Sequence, residues 1–483
     1  STLAVTAFQA RNEAREQRRE AEGLVAFMLG DLKDKLEPIG RLDALDGVGS
    51  RVLSYYSKQD ASELTDAALS QRSKALSLMA QVADARGDSQ TAVKLYRQAM
   101  AGTAEAVRRN PTDAQAIFDH AQNVFYVGEI AQNRGDLPTA EASMREYRRL
   151  ALQMVALQPD SMKYRMEQQY ADTDLGVVLF LQRRFAEAVT QFKDALATMD
   201  AISTADPAND GYRKSVAESL AWLADAERAA GKYPEAIAAR QRDIALLESL
   251  LGESGSVDYR QRLIPARTAF GNLYADTGQR ELASAQFRAA IDDADKLSAV
   301  EPNNAKWREY GFYAQMALAD HMLANGRPQD AVAPADESCA AVQSLLARKV
   351  PIAWGRAGMN ACWAIRARIA LATGQNAAAL DNARQALSSA LAVRTSDPVA
   401  DRFSVAKAYR RLGDAERTGG DANAAIAAWK SALTALPQSG SEKPAEMDEH
   451  ATILRRLGRS AEAQQLNQRL FGMGYRLREV KGD

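Results

Sequence analysis

The chain has 483 residues, 46% of them hydrophobic and 25% charged, with 29 glycines, 14 prolines and two cysteines. That composition excludes a collagen-like rod, a disordered tail and a disulfide-dense mini-protein. Sixty-one Lys and Arg against 62 Asp and Glu leave a formal charge of −1, so no large basic field exists to hold a nucleic-acid backbone.

In chain order, position 1 is Ser rather than Met, which implies either a removed initiator or a piece of a longer protein. No charged-then-apolar leader opens the chain, and no run of about 18 apolar residues is available to cross a bilayer. Residues 11–22, Arg11-Asn12-Glu13-Ala14-Arg15-Glu16-Gln17-Arg18-Arg19-Glu20-Ala21-Glu22, carry no large apolar side chain and intersperse Glu with Arg at helical spacing. This predicts a solvated helix held by short-range charge pairs, and residues 1–22 are read as a stalk-like or juxtamembrane helix. An apolar stripe returns at Leu24, Phe27, Met28, Leu32 and Leu36, and residues 23–68 are read as N-terminal capping helices.

From residue 69 to 437 the sequence repeats itself. Turn signals recur at Gly87, Gly135, Gly231, Gly278, Gly326, Gly374, Gly420 and Gly458, and an alanine follows each, at Ala92, Ala140, Ala236, Ala283, Ala331, Ala379, Ala425 and Ala463. The remaining unit keeps its alanine, Ala188, but has Arg184-Phe185 where the glycine is expected. The nine alanines step by 48, 48, 48, 47, 48, 48, 46 and 38 residues. Prolines mark a second phase of this period at Pro111, Pro159, Pro207, Pro302, Pro351, Pro398 and Pro437. Glycine closes a helix by taking a left-handed conformation, and proline stops one by lacking an amide donor. Each unit therefore reads helix, glycine turn, helix, proline loop. Between the markers the apolar residues keep helical spacing, as in Leu175, Val178 and Leu179 and again in Phe192, Ala195, Leu196 and Met199. Residues 438–483 read as a short C-terminal repeat and cap.

Phe270-Gly271 with Gly278, Ala283 and Phe287, and Leu412-Gly413 with Gly420, Ala425 and Trp429, resemble the tetratricopeptide (TPR) repeat, as do Leu175-Gly176, Ala188 and Phe192. The resemblance covers roughly residues 70–470. It departs from the usual pattern in its period of about 48 instead of 34, and in Arg240, Ala335 and Ala383 at the aromatic position. It implies an all-α, right-handed superhelical solenoid of about eight or nine long-helix hairpins. A shallower, wider groove than usual is expected.

A second resemblance lies in residues 17–56 and in the tail around Arg459-Ser460-Ala461-Glu462-Ala463 and Gly474-Tyr475-Arg476. Both are similar to bacterial single-pass receptors with an N-terminal TIR, kinase or winged-helix domain, whose C-terminal repeats lie outside the inner membrane. This implies a periplasmic sensing region, with Leu3, Val5 and Phe8 near the membrane. The alternative is a cytoplasmic scaffold or co-chaperone-like adaptor. Cys339 and Cys362 lie about equally far from Val350-Pro351, so two antiparallel helices joined there would put both thiols at one level. A disulfide, and with it an oxidising compartment, stands beside a buried reduced pair.

Catalytic constellations are missing. His120, His321 and His450 are scattered over different units without metal-ligand or triad spacing, and Gly47-Val48-Gly49 lacks both a third glycine and a preceding strand. The Arg-Gly-Asp triplets at 86–88 and 134–136 occupy the inter-helix turn phase. No enzymatic activity, cofactor or metal is expected, and the expected partner is a protein or peptide, or a small ligand, with a homodimer as a further expectation. In tetratricopeptide repeats the first helix of each pair lines the concave face, which singles out Glu129, Gln132, Asp225, Arg228, Asn272, Asp276, Asp320, Arg368, Asp414 and Arg417. Asn272 resembles an asparagine that clamps a peptide backbone or terminal carboxylate in some members, although the arginines or lysines of that clamp do not recur in adjacent repeats.

Overall fold

A computed structural model describes residue 23 and residues 42–56, 64–348, 352, 354–394, 397–437 and 441–477. The expected stalk over 1–22 and the stripe from Leu24 to Leu36 lie outside the described residues. Among those described there is no strand.

The helices run as α1 (Leu42–Tyr56), α2 (Asp66–Ala85), α3 (Ser89–Arg109), α4 (Ala114–Asn133), α5 (Leu137–Leu157), α6 (Met162–Leu181), α7 (Phe185–Ala205), α8 (Asp210–Ala229), α9 (Tyr233–Ser254), α10 (Val257–Asp276), α11 (Arg280–Val300), α12 (Ala305–Ala324), α13 (Pro328–Ala347), α14 (Gly355–Ala372), α15 (Asn376–Ala392), α16 (Pro398–Thr418), α17 (Ala422–Ala435), α18 (Pro444–Arg456) and α19 (Ser460–Gly472). They form two compact units, Ser1–Val178 and Leu179–Asp483.

The repeat markers act as local sequence chemistry dictates. Asp88 opens α3 by accepting from the Thr91 amide at 3.1 Å, and Asp113 opens α4 by accepting from Gln115 at 2.9 Å, as N-cap carboxylates do. At the tight turns, Gly87, Gly135, Gly231, Gly278, Gly326, Gly374, Gly420 and Gly458 all have positive φ, between 69° and 96°. The amide after the glycine returns to the last helical turn, as from Asp88 to the Ala83 carbonyl at 2.9 Å. The unit without a glycine obeys the same geometry, with Arg183 at φ 63°, the only non-glycine of positive φ among the described residues.

Packing follows from the small residues. Ala92, Ala140, Ala188, Ala236, Ala283, Ala331, Ala379 and Ala425 are completely buried. A Cβ on Gly271 would meet the Phe287 ring at 2.5 Å, and one on Gly413 would collide with the Trp429 indole, so these glycines let the first helix of a pair sit against the aromatic of the second. In unit 1, α1 to α5 pack in succession. In unit 2, α7 to α19 pack in succession, and each first helix also touches the next, α8 on α10 and so on to α16 on α18. The fold is thus an all-α, TPR-like solenoid.

The C-terminal pair does more than close the row. Met447, Leu470 and Tyr475 share one apolar cluster with Tyr233, Leu247, Leu263, Phe270 and Phe287 of α9 to α11. Tyr475 is 1% exposed, its ring lies 6.2 Å from that of Tyr233, and the Arg476 amide donates to the Asp276 carbonyl at 2.7 Å. On α18, residues pointing in all directions are buried, from Pro444, Glu446 and Met447 to Ile453 and Leu454. The far end of unit 2 therefore returns to its beginning, and α18 occupies space that the sequence pattern leaves as an open groove. Apolar burial in that cluster drives the closure, and polar pairing satisfies the acids that it buries. Glu446 meets Arg183, Glu449 meets Arg410, and Asp448 accepts from the Tyr475 hydroxyl at 3.1 Å.

Candidate functional site

The first helices of unit 2 present one face each to the inside of the array, because residues three and four apart on a helix share a side. The ten residues singled out from the repeat register fall into four groups. Glu129 and Gln132 are half-buried on α4 in unit 1; burial, and then the charge of Asp84, push the Glu129 carboxyl up. Asp320, Arg368 and Asp414 are engaged in ion pairs along the array of unit 2: Arg368 with Asp320, one 48-residue period apart, and Asp414 with Arg410 at 2.7 Å and Arg456 at 2.8 Å. Trp429 also donates its indole N–H to Asp414 at 3.1 Å. Arg417, in the last turn of α16, is exposed. The remaining four, Asp225, Arg228, Asn272 and Asp276, come together around one inner cavity of about 610 Å³.

That chamber is walled by α8, α10, α12 and α16 and by the start of α18. Arg228 donates to Asp276 at 2.7 Å across one repeat, and Asp276 itself is 1% exposed. Asp225 accepts from Arg240 at 2.6 Å. Arg240, which replaces the usual aromatic of its repeat, is buried and also pairs with Asp243 at 2.8 Å. Tyr310 and Tyr313 of α12, Phe180 at the end of α6, Lys407 of α16 and Lys443 before α18 complete the walls. These five are not marked by the concave-face pattern. Tyr310 and Tyr313 lie one turn or more before the register position on their helix, Phe180 sits at a helix end, and Lys443 comes from a loop that only closure of the unit brings inside.

Lys443 has its Nζ 5.1 Å from the Phe180 ring centroid, and burial draws its ammonium below the usual lysine value although Glu446 opposes this. Arg183 donates to the Ser441 carbonyl at 2.8 Å and to the Glu446 carboxylate, and its guanidinium lies 5.5 Å from the Phe185 ring and 5.9 Å from that of Phe403. A second cavity of about 820 Å³ lies beside Arg183, Phe403, His450 and Met473.

The histidines serve local packing and hydrogen bonding. His120 shares a 3.0 Å hydrogen bond with the Thr103 hydroxyl, and burial pulls its imidazole pKa down. His321 Nε2 lies 3.0 Å from the Arg280 carbonyl, and His450 Nδ1 lies 2.9 Å from Glu442. Among the described residues no group of His, Cys, Asp and Glu is suited to hold a metal ion, and no helix is long and apolar enough to cross a membrane. Both Arg-Gly-Asp triplets sit at helix turns, where Asp88 and Asp136 serve as caps. Cys339 of α13 and Cys362 of α14 are bonded, with Cα atoms 5.6 Å apart, inside a cluster that includes Phe312, Val342 and Trp354.

No family model matches the chain, and no curated protein matches it. Among solved structures it is similar to BtubC (BKLC) from P. vanneervenii, at 15% identity over 52% of this chain and 90% of that one, with a TM-score of 0.40. It is also similar to a tetratricopeptide repeat protein from Parabacteroides merdae ATCC 43184, at 16% identity over 71% and 98% of the two chains and a TM-score of 0.40. A third is the apo form of RapI, at 13% identity over 65% and 96%, with a TM-score of 0.44.

Proposed function

We propose that the chain is a non-catalytic binding solenoid that recognises a protein or peptide segment on the inner faces of its first helices. The observation that carries this reading is the convergence of Asp225, Arg228, Asn272 and Asp276, from two successive first helices, on one chamber that also takes side chains from α12 and α16. Stacked helix pairs produce such a wall because each pair buries apolar surface on both neighbours and leaves a third face for recognition. Recognition by this wall uses many modest polar contacts spread over several repeats.

The test is a peptide-display selection on the immobilised chain. Enriched peptides are expected to compete with one another and to lose at least tenfold in affinity when Asn272→Arg fills the inner face, while Arg417→Ala leaves them unchanged. Peptides that bind Asn272→Arg as well as the parent chain would overturn the reading.

The same proposal places the chain on the periplasmic side of a bacterial inner membrane, as the sensing region of a signalling receptor. Its support is the Cys339–Cys362 pair, since disulfides persist in oxidising compartments and are rare in the cytosol. Thiol titration of the denatured, unreduced protein isolated from its host should find no free thiol; two free thiols would favour the cytoplasmic scaffold instead.

A further inference from the structure

The inner chamber of unit 2 holds carboxylates that already have hydrogen-bonded arginines and a lysine ammonium that has no such contact among the described residues. Asp225, Asp276 and Glu446 face it, and each has an arginine: Arg240 at 2.6 Å, Arg228 at 2.7 Å and Arg183 respectively. Lys443 differs. Its ammonium stands over Phe180 and has no hydrogen-bond acceptor among the described residues. Lys407 adds a second cation to the wall. One turn further along α16, outside the chamber lining, the Arg411 Nε is buried without a hydrogen-bond partner. Burial, and then the charges of Arg368 and Arg410, draw that guanidinium down to about 10 against the pull of Glu449 and Asp320. Glu446 and Asp397 favour the Lys443 ammonium through space without a hydrogen bond to it, so a partly desolvated cation still gains from an anion delivered from solvent.

The rest of the chamber suits a flat apolar body. Tyr310 and Tyr313 supply rings from one helix, and Tyr313 stays 40% exposed although it packs beside Phe312 and Trp354. An aromatic face left exposed inside a cavity is surface that a ligand can cover. The volume of about 610 Å³ falls in the range of small-molecule sites, which pair a mostly apolar lining with a few placed polar groups.

We propose that this chamber binds a small organic acid, with its carboxylate against the Lys443 ammonium and its flat body against Tyr310 and Tyr313. The proposal rests on the reading of this inner wall as a recognition surface, but names a different occupant from the peptide segment.

Calorimetric titration of the full chain with phenylacetate and indole-3-acetate, and with their neutral amides, tests it. At least one acid is expected to bind with a Kd of about 1 mM or below, with its amide at least tenfold weaker. Lys443→Met should abolish this preference for the acid, Lys443→Arg should keep it, and Tyr313→Ala should weaken acid and amide alike. Circular dichroism identifies any variant that fails to fold, and the comparison of acid with amide on the parent chain stands without variants. No binding of either acid at about 10 mM, equal affinity for acid and amide, or an acid preference that survives in folded Lys443→Met would overturn the proposal. Acid binding without peptide enrichment would sink only the peptide reading; peptide enrichment without acid binding would sink only this one.

Discussion

Asp174 on α6 lies in unit 1 near two other acids, Glu129 and Glu167. Burial first, then the charges of Glu129 and Glu167, push its carboxyl up to about 7. Glu167 is itself raised by burial, although it accepts from the Tyr147 hydroxyl at 2.6 Å and from Gln122 at 2.9 Å. An unfolded chain ionises an aspartate near pH 4, so between pH 4 and 7 the unfolded state has released this proton while the folded state retains it. The contribution to stability is intact below about pH 4, is lost as pH rises towards 7, and stays lost above. Three pKa units set a ceiling of about 4 kcal/mol. Asp174→Asn should therefore stabilise unit 1 at pH 8 by about 2 kcal/mol, with little effect at pH 4. Hydrogen exchange of amides in α4 and α6, measured at both pH values, checks this; protection that drops equally with pH in the variant would refute it.

At the scale of the helix pair, the glycine of the first helix and the aromatic of the second form a fixed couple sixteen residues apart, Gly271 with Phe287 and Gly413 with Trp429. Adding a methyl group at Gly271 forces Phe287 off its site. Overpacking of this kind costs about 1–3 kcal/mol, so Gly271→Ala should lower the urea midpoint, and Gly271→Ala with Phe287→Leu should recover part of the loss. Equal midpoints for Gly271→Ala and the parent would show that the ring moves without cost. These couples, the turn glycines and the buried alanines were legible in the sequence because each describes a relation inside one repeat or between neighbours. The inner-face register also named Asp225, Arg228, Asn272 and Asp276, which the fold gathers around one chamber. Periodicity could not place Lys443 or Tyr475 beside helices more than 160 residues earlier, since a repeat pattern encodes the next unit and nothing beyond it. Arg183 lies between these cases. The missing glycine at its turn was visible, whereas the reach of its side chain to Ser441 and Glu446 was not.

For unit 2 as a whole, closure of the far end on the beginning makes stability depend on a few contacts of very long sequence separation. Arg183 is 5% exposed and Glu446 8% exposed, so loss of the guanidinium strands a buried carboxylate and costs about 3 kcal/mol. Arg183→Gly also relieves a left-handed residue, worth about 1 kcal/mol in the other direction. The net expectation is a loss of about 2 kcal/mol, most of it restored when Glu446→Gln removes the stranded charge. The Arg213–Glu253 pair, whose glutamate is exposed and whose arginine is half-buried, offers the contrast, since its removal should cost about 1 kcal/mol. All five tryptophans, Trp222, Trp307, Trp354, Trp363 and Trp429, belong to unit 2, so indole fluorescence during urea unfolding reports on the unit that carries the clasp. If Arg183→Gly unfolds at the parent's midpoint, the clasp adds nothing and unit 2 is held by neighbour packing alone. If instead the single variant is weakened and the double variant recovers, the closure contributes to folding, and α18 is held inside unit 2 by a buried ion pair between residues 263 positions apart.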